Sequence, residues 1–236
     1  VIPKQMGILS IFALFLLIPD SSGMTASMYL SKIWTKIVVS SERKKEYFRF
    51  MILVTGGTGL LGSHLLYKLI SQGKKVRAIY RSTSKFNQVK NIFSYYTEDM
   101  VLFDKIEWVE ADITDVPALD KTFDGVTHVY HCAAFISFDF SDYREAKAIN
   151  VKGTANIVNL CLSHGVKKMC HVSSIATLGE NGNGLITEET EWNPENNKDN
   201  IYAITKYSAE LEAWRGTQEG LDVVIVNPGV ILGPGF

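Results

Sequence analysis

From residue 51 onward, short apolar runs alternate with stretches whose apolar residues recur at helical spacing. Ile52-Leu53-Val54-Thr55 is apolar and partly β-branched, as expected of a parallel strand covered on both faces. Leu65, Leu66, Leu69 and Ile70 then share a helical face, and Gly73 supplies a stop. The same alternation predicts strands at Lys75–Tyr80, Ile106–Ala111, Val126–Ala134, Lys168–Ser174 and Val223–Val226. Between them lie helices. One carries Ala148, Asn150, Thr154, Ile157, Val158 and Cys161, and another runs over Ile201–Arg215. Strands separated by helices predict an α/β fold, a doubly wound parallel sheet. Ligands of such sheets bind beyond the carboxyl ends of the strands.

Residues 1–50 do not follow this pattern. Residues 7–18 are apolar, Lys4 precedes them, and Pro19-Asp20-Ser21-Ser22-Gly23 breaks the run. Twelve helical residues span about 18 Å, short of a bilayer core. The run resembles the apolar region of a signal peptide or anchor. Because a buried strand begins directly after Met51, the favoured expectation is an extension upstream of the real start, poorly ordered and adding little to function. Membrane contact is expected only if this segment is a true anchor, its basic part from Met24 to Phe50 lying on a membrane surface.

Charge sharpens the division. Residues 1–50 hold seven Lys/Arg against three Asp/Glu, and the remainder holds seventeen against twenty-two. The formal net charge of the whole chain is −1, so no global basic field points to nucleic acid. The 46% hydrophobic and 21% charged composition is that of a globular protein. Cys132, Cys161 and Cys170 cannot all pair and form no Cys-x-x-Cys. This fits a reducing, cytoplasmic compartment and argues against a disulfide framework or a zinc knuckle. His131 and Cys132 read as buried strand residues, because no ligand set accompanies them. No metal is predicted.

The chemistry begins at Gly56-Gly57-Thr58-Gly59-Leu60-Leu61-Gly62. Gly56 permits the turn off the strand, Gly59 lets backbone N–H groups approach a pyrophosphate, and Gly62 lets the helix pack close to the sheet. The helix N-terminus then faces negative charge. Strand before and helix after supply the context that a dinucleotide site needs. Thr58, Leu60 and Leu61 belong to the same cradle. A free ribose 2′-hydroxyl usually meets an acid about twenty residues past the glycines. Here Arg81 stands there, with Ser82 and Lys85 nearby. A guanidinium holds a 2′-phosphate by two parallel hydrogen bonds, so NADP(H) is favoured, with NAD(H) as the alternative. Asp112-Ile113, at the end of the third strand, is suited to the adenine amine, or else Asp112 caps the following turn. Small Ala133 and Ala134 would let a cofactor lie against the fourth strand.

Tyr202 and Lys206 are four apart and share one helical face. A free tyrosine releases its proton only near pH 10. A lysine ammonium beside it, with a cationic nicotinamide, favours the phenolate. Such a tyrosine exchanges a proton with a substrate hydroxyl or carbonyl. Ser174 can hold the same oxygen as charge develops.

Taken together, the chain from Met51 resembles an extended short-chain dehydrogenase/reductase of the NAD-dependent epimerase/dehydratase family. The resemblance rests on the glycine turn from Thr55, Asp112-Ile113, His131-Cys132-Ala133-Ala134, Asn150-Val151-Lys152-Gly153-Thr154, Val172-Ser173-Ser174, Tyr202-x-x-x-Lys206 and Asn227-Pro228-Gly229. It implies a Rossmann domain over 51–236, with Ser174, Tyr202 and Lys206 as catalytic residues. It also implies that Lys206 holds the nicotinamide ribose, that Asn150 supports a proton relay, and that Pro228-Gly229 lines the nicotinamide pocket. Ile175-Ala176 stand where the family's sugar dehydratases carry Asp-Glu. Leu178 stands where its epimerases often carry tyrosine. Arg81 and Ser173–Gly179 are more similar to carbonyl reductases of the dihydroflavonol-reductase type.

The implied function is NADP(H)-dependent hydride transfer to or from a carbonyl or alcohol carbon of a small-molecule substrate. Alternatives are an NAD-dependent nucleotide-sugar epimerase and, in another class, a non-catalytic NADP-binding regulator. Extended members continue into a smaller substrate-binding domain, whereas this sequence stops at Phe236. It is therefore expected to bind cofactor and turn over little. The sequence allows a homodimer without settling the oligomeric state.

Overall fold

The computed structural model describes residues 50–179, 184, 186–187 and 190–234. The expectations for residues 1–49 lie outside the described residues. So do those for residues 180–183 and the last two positions.

Six strands form one all-parallel sheet: β1 Met51–Thr55, β2 Lys75–Tyr80, β3 Glu107–Glu110, β4 Val126–His131, β5 Lys168–Val172 and β6 Val223–Val226. Their order is β3-β2-β1-β4-β5-β6. The direction of growth therefore reverses at β1, which pairs with both β2 and β4. The register sets Leu53 beside Arg77 on one side and Val129 on the other. The predicted doubly wound sheet is the fold observed.

Helices cover both faces. Helix α1 (Leu60–Ser71) and α2 (Phe86–Ser94) lie on one. A short α3 (Val101–Asp104) and α4 (Val116–Asp120) flank β3. Then come α5 (Tyr143–Ala146), a π-helical stretch Lys147–Lys152, α6 (Gly153–Ser163) and α7 (Ile201–Gln218). The pleat sends alternate β1 residues to opposite sides. Ile52 and Val54 join Leu65, Leu66, Leu69, Val89 and Phe93 in one core, and Leu53 joins Ile157, Val158 and Ala213 in the other. Leu65 and Leu66 are fully buried, each stabilising the fold by about 2 kcal/mol.

Helix ends follow local chemistry. Gly73, at φ +74°, donates its N–H to Ile70 O while Lys74 N–H reaches Leu69 O, a left-handed glycine stop. Asn200 caps α7 by accepting the Ala203 N–H at 3.0 Å.

Three predicted strands run past the observed ones. Ala111, Ala133-Ala134 and Ser173-Ser174 lie beyond β3, β4 and β5. One ladder bond continues past each strand, from Ala111 N–H to Tyr80 O, Cys132 N–H to Thr55 O and Ser173 N–H to Val226 O. The chain then leaves the sheet; Ala111, Ala133 and Ala134 become the rim of a crevice, while Ser173 bonds Glu210 on α7.

Candidate functional site

Beyond the carboxyl ends of β1, β2, β3 and β4 lies a cleft of about 230 Å³. Its wall includes Gly56, Thr58 and Gly59 from the glycine turn, Arg81, Ser82, Ser84 and Lys85 after β2, Asp112 and Ile113 after β3, and Ala133 and Ala134 after β4. Ten of these eleven residues were singled out in the sequence. They converge because the order reverses at β1, so the loops after β1 and β4 run to opposite sides and leave a gap. The sequence reading missed Ser84 as a lining residue. No signal marks a serine of that kind. It reaches the cleft because its turn folds back, with Ser82 Oγ accepting the Ser84 N–H at 3.2 Å.

Each glycine has its own constraint. Gly56 sits at φ +67°, and a Cβ there would lie 2.6 Å from Ala133 N. A Cβ on Gly62 would overlap Gly56 O and crowd Gly57 Cα. Gly62 therefore lets α1 close onto the glycine turn itself, rather than onto the sheet as the sequence suggested. A Cβ on Gly59 would meet only Gly56 O, at 3.4 Å, so the space above it opens to the cleft. Leu60 and Leu61 begin α1 and lie half-buried behind the cradle.

Asp112 does what its alternative reading described. Its Oδ1 accepts the Thr114 N–H at 2.8 Å and the Thr114 hydroxyl at 2.6 Å. Its Oδ2 lies 3.9 Å from Arg81 Nη1. The Arg81 side chain is 66% exposed, so the pair is a weak, solvent-screened one. His131 is fully enclosed in the strand, with Nδ1 2.7 Å from Thr55 Oγ1 and Nε2 2.9 Å from Thr154 Oγ1. Burial and then the nearby Lys206 charge pull its pKa down to about 3. Both ring nitrogens are thus taken by hydroxyls.

The remaining site residues lie outside the lining of that cleft, at the ends of β5 and β6 and on α7. Lys206 is 2% exposed, and its Nζ donates to Val172 O at 2.8 Å. Burial pulls the Lys206 pKa down to about 8, and the Glu210 carboxylate opposes that shift. Tyr202, one turn earlier, is half-buried with its ring 5.7 Å from that of Phe138. Ser174 starts a short turn, its Oγ accepting the Ala176 N–H at 3.1 Å. That bond uses a lone pair and leaves the hydroxyl proton for another acceptor.

Asn150 sits in the π-helical stretch. Its Oδ1 accepts the Phe135 N–H at 2.7 Å, and its Nδ2 donates to Phe135 O at 2.9 Å and Thr205 Oγ1 at 3.1 Å. Its amide is therefore committed to the loop after β4 and to α7. Gly229 follows β6, with Ile175 Cδ1 the nearest atom to a Cβ built on it, at 3.8 Å. Pro228 O accepts the Ile175 N–H at 3.0 Å.

The chain combines a glycine cradle at a sheet reversal with a buried lysine on a Tyr-x-x-x-Lys helix, and residues 52–236 match the NAD dependent epimerase/dehydratase family. The chain belongs to this family. Within it, the chain is 34% identical over 181 residues to a putative dihydroflavonol 4-reductase from Synechocystis sp., covering 77% of this chain and 49% of that one. It is 32% identical over 185 residues to sterol demethylase protein B from Methylococcus capsulatus, covering 77% and 52%. The structure of the Bordetella bronchiseptica enzyme WbmG in complex with NAD and UDP superposes at a TM-score of 0.60 and 26% identity, covering 75% of this chain and 52% of that one. A Thermotoga maritima UDP-glucose 4-epimerase with UDP-glucose gives 0.61 and 25%, covering 78% and 57%. The chain spans about half the length of the curated relatives it matches. No helix among the described residues is long and apolar enough to cross a membrane.

Proposed function

We propose that the protein is an NADP(H)-dependent oxidoreductase of the extended short-chain type, acting on a carbonyl or alcohol carbon of a small molecule. The observation that carries this reading is the anchoring of Lys206 Nζ on Val172 O at 2.8 Å. That bond docks the Tyr202–Lys206 face of α7 against the strand end bearing Ser174.

The residues fit a dinucleotide. Gly59 opens its α-carbon to the cleft, and the cleft mixes cations, hydroxyls and small apolar groups. Gly56, Thr58, Gly59, Leu60, Leu61 and Gly62 would form the pyrophosphate cradle. Asp112, Ile113, Ala133 and Ala134 would line the adenosine part, and Lys206, Pro228 and Gly229 the nicotinamide end. When bound, the nicotinamide supplies hydride chemistry. Tyr202 then gives or takes the proton at the substrate oxygen, Ser174 donates its free hydroxyl proton to that oxygen, and the Lys206 ammonium favours the charge that develops. Asn150 acts through Phe135 and Thr205, by holding the loop and helix that carry this set.

Cofactor choice is read from Arg81, Ser82, Ser84 and Lys85 on one wall, two cations and two hydroxyls suited to a 2′-phosphate. The three cysteines are free, which supports a reducing compartment such as the cytoplasm.

The test measures turnover on a panel of aldehydes and ketones, with NADPH affinity measured in parallel. Tyr202→Phe is expected to cut turnover at least about 100-fold while leaving NADPH affinity unchanged. A regulator would lose nothing, and undiminished turnover would refute the reading. Separately, Arg81→Ala is expected to weaken NADPH about tenfold or more, with NADH affinity little changed. A wild-type preference for NADH would overturn the role of Arg81.

A further inference from the structure

Glu210 lies one helical turn beyond Lys206 on α7 and is 9% exposed. Its Oε2 is 2.5 Å from Ser173 Oγ, 2.7 Å from Thr177 Oγ1 and 3.0 Å from Asn227 Nδ2. Trp214 Nε1 reaches Oε1 at 3.3 Å. A buried carboxylate is tolerated when donors surround it, and here four do.

Where those donors come from is informative. Ser173 and Thr177 bracket Ser174. Asn227 immediately precedes Pro228 and Gly229, and its Nδ2 also lies 3.1 Å from Ser174 O and 2.8 Å from Thr177 Oγ1. A single carboxylate therefore joins α7, the end of β5 and the end of β6. Each of those segments carries a residue of the proposed site.

The same group has an electrostatic neighbour. Lys206 is buried, and its Nζ donates to a backbone carbonyl. His131 and Cys132 face it from β4 and its end, and His171 from β5, while Tyr207 on α7 lies within the field of Glu210. Burial holds both imidazoles well below their usual range, so they are neutral at physiological pH. Glu210 supplies the carboxylate of this set, one helical turn from Lys206.

We propose that Glu210 is a positioning residue whose carboxylate keeps Lys206 charged and holds Ser174 and Pro228-Gly229 in register with it. The proposal rests on the Tyr202–Lys206–Ser174 reading above, and its test does not use turnover. The Lys206 side chain is titrated by NMR in lysine-labelled protein, its signal identified by loss in Lys206→Arg. In Glu210→Gln, the Lys206 midpoint is expected to fall by about one pH unit. In Glu210→Asp it is expected to fall by less, because the charge remains at shorter reach.

Amide exchange supplies the second readout. The Ile175 N–H, bonded to Pro228 O, is expected to exchange about tenfold faster in Glu210→Gln while the β1 amides stay protected. An unchanged Lys206 midpoint overturns the proposal, and so does Ile175 exchange that rises only in step with β1. Should Glu210→Gln fail to fold, Glu210→Asp carries both measurements with the same signs. Unaltered turnover in Tyr202→Phe would remove the catalytic reading and leave this result standing, so the two failures are distinguishable.

Discussion

A methyl group on Gly62 would run into the carbonyl of Gly56, the atom that also accepts the Gly59 N–H at 3.0 Å. The obstacle is backbone, so rotamer adjustment gives no relief. Gly62→Ala is expected to cost about 3 kcal/mol and to displace the turn, lowering the thermal midpoint and dinucleotide affinity together. Thermal melts and a cofactor titration check this. The glycines were legible in the sequence because their spacing has one geometric use between a strand and a helix. Glu210 was not. A glutamate four residues past a lysine reads as part of a solvated helical face, and only tertiary contacts show that its carboxylate is buried among donors from β5 and β6.

Helices and strands were legible to the extent that one periodicity governed them. Among the parallel strands, β1 and β6 gave themselves away by continuous apolar runs, and β2 to β5 by short apolar-rich runs between stretches of helical spacing. Their carboxyl ends did not, because Ala111, Ala133 and Ser173 continue the small or apolar pattern after the sheet has ended. Ala111 and Ala133 line the crevice and Ser173 bonds Glu210, so the pattern there no longer answers to a ladder. The π-helical turn over Lys147–Lys152 was also hidden, since its neighbours keep ordinary helical spacing. Such turns often accompany functional positions. This one carries Asn150, whose amide clasps the Phe135 peptide and Thr205. Asn150→Ala removes both side-chain bonds from the part-buried Phe135 peptide. The expected loss is about 2 kcal/mol, with faster exchange of the Phe135 amide. Denaturant unfolding and amide exchange measure both.

Across the whole molecule, the reversal of strand order at β1 creates both the crevice and two separate cores, one on each face of the sheet. Three histidines lie within this interior. Burial, with nearby lysines, lowers the pKa of His128 to about 4. It lowers that of His131 to about 3 and holds His171 well below the free value. The unfolded chain binds protons at these rings below about pH 6.5, while the folded chain does not until about pH 4 or lower. Unfolding therefore takes up protons, and stability falls as pH drops from about 6.5 toward 4. The expected loss over that window is about 3 kcal/mol or more, seen as a falling thermal midpoint. Both ring nitrogens of His171 are buried with no hydrogen-bond partner among the described residues, so His171→Leu should flatten that slope.

The surface beyond the strand ends is unlike at its two extremes. Arg81, Lys85 and Asp112 gather at one, while Ile136, Phe138, Phe140 and Ile175 stand exposed at the other. Ionic strength acts on these in opposite senses. Added salt screens the first, whereas a strongly hydrated salt such as sulfate strengthens apolar association at the second. Sulfate would thus weaken charge-driven binding at the first while strengthening apolar contact at the second.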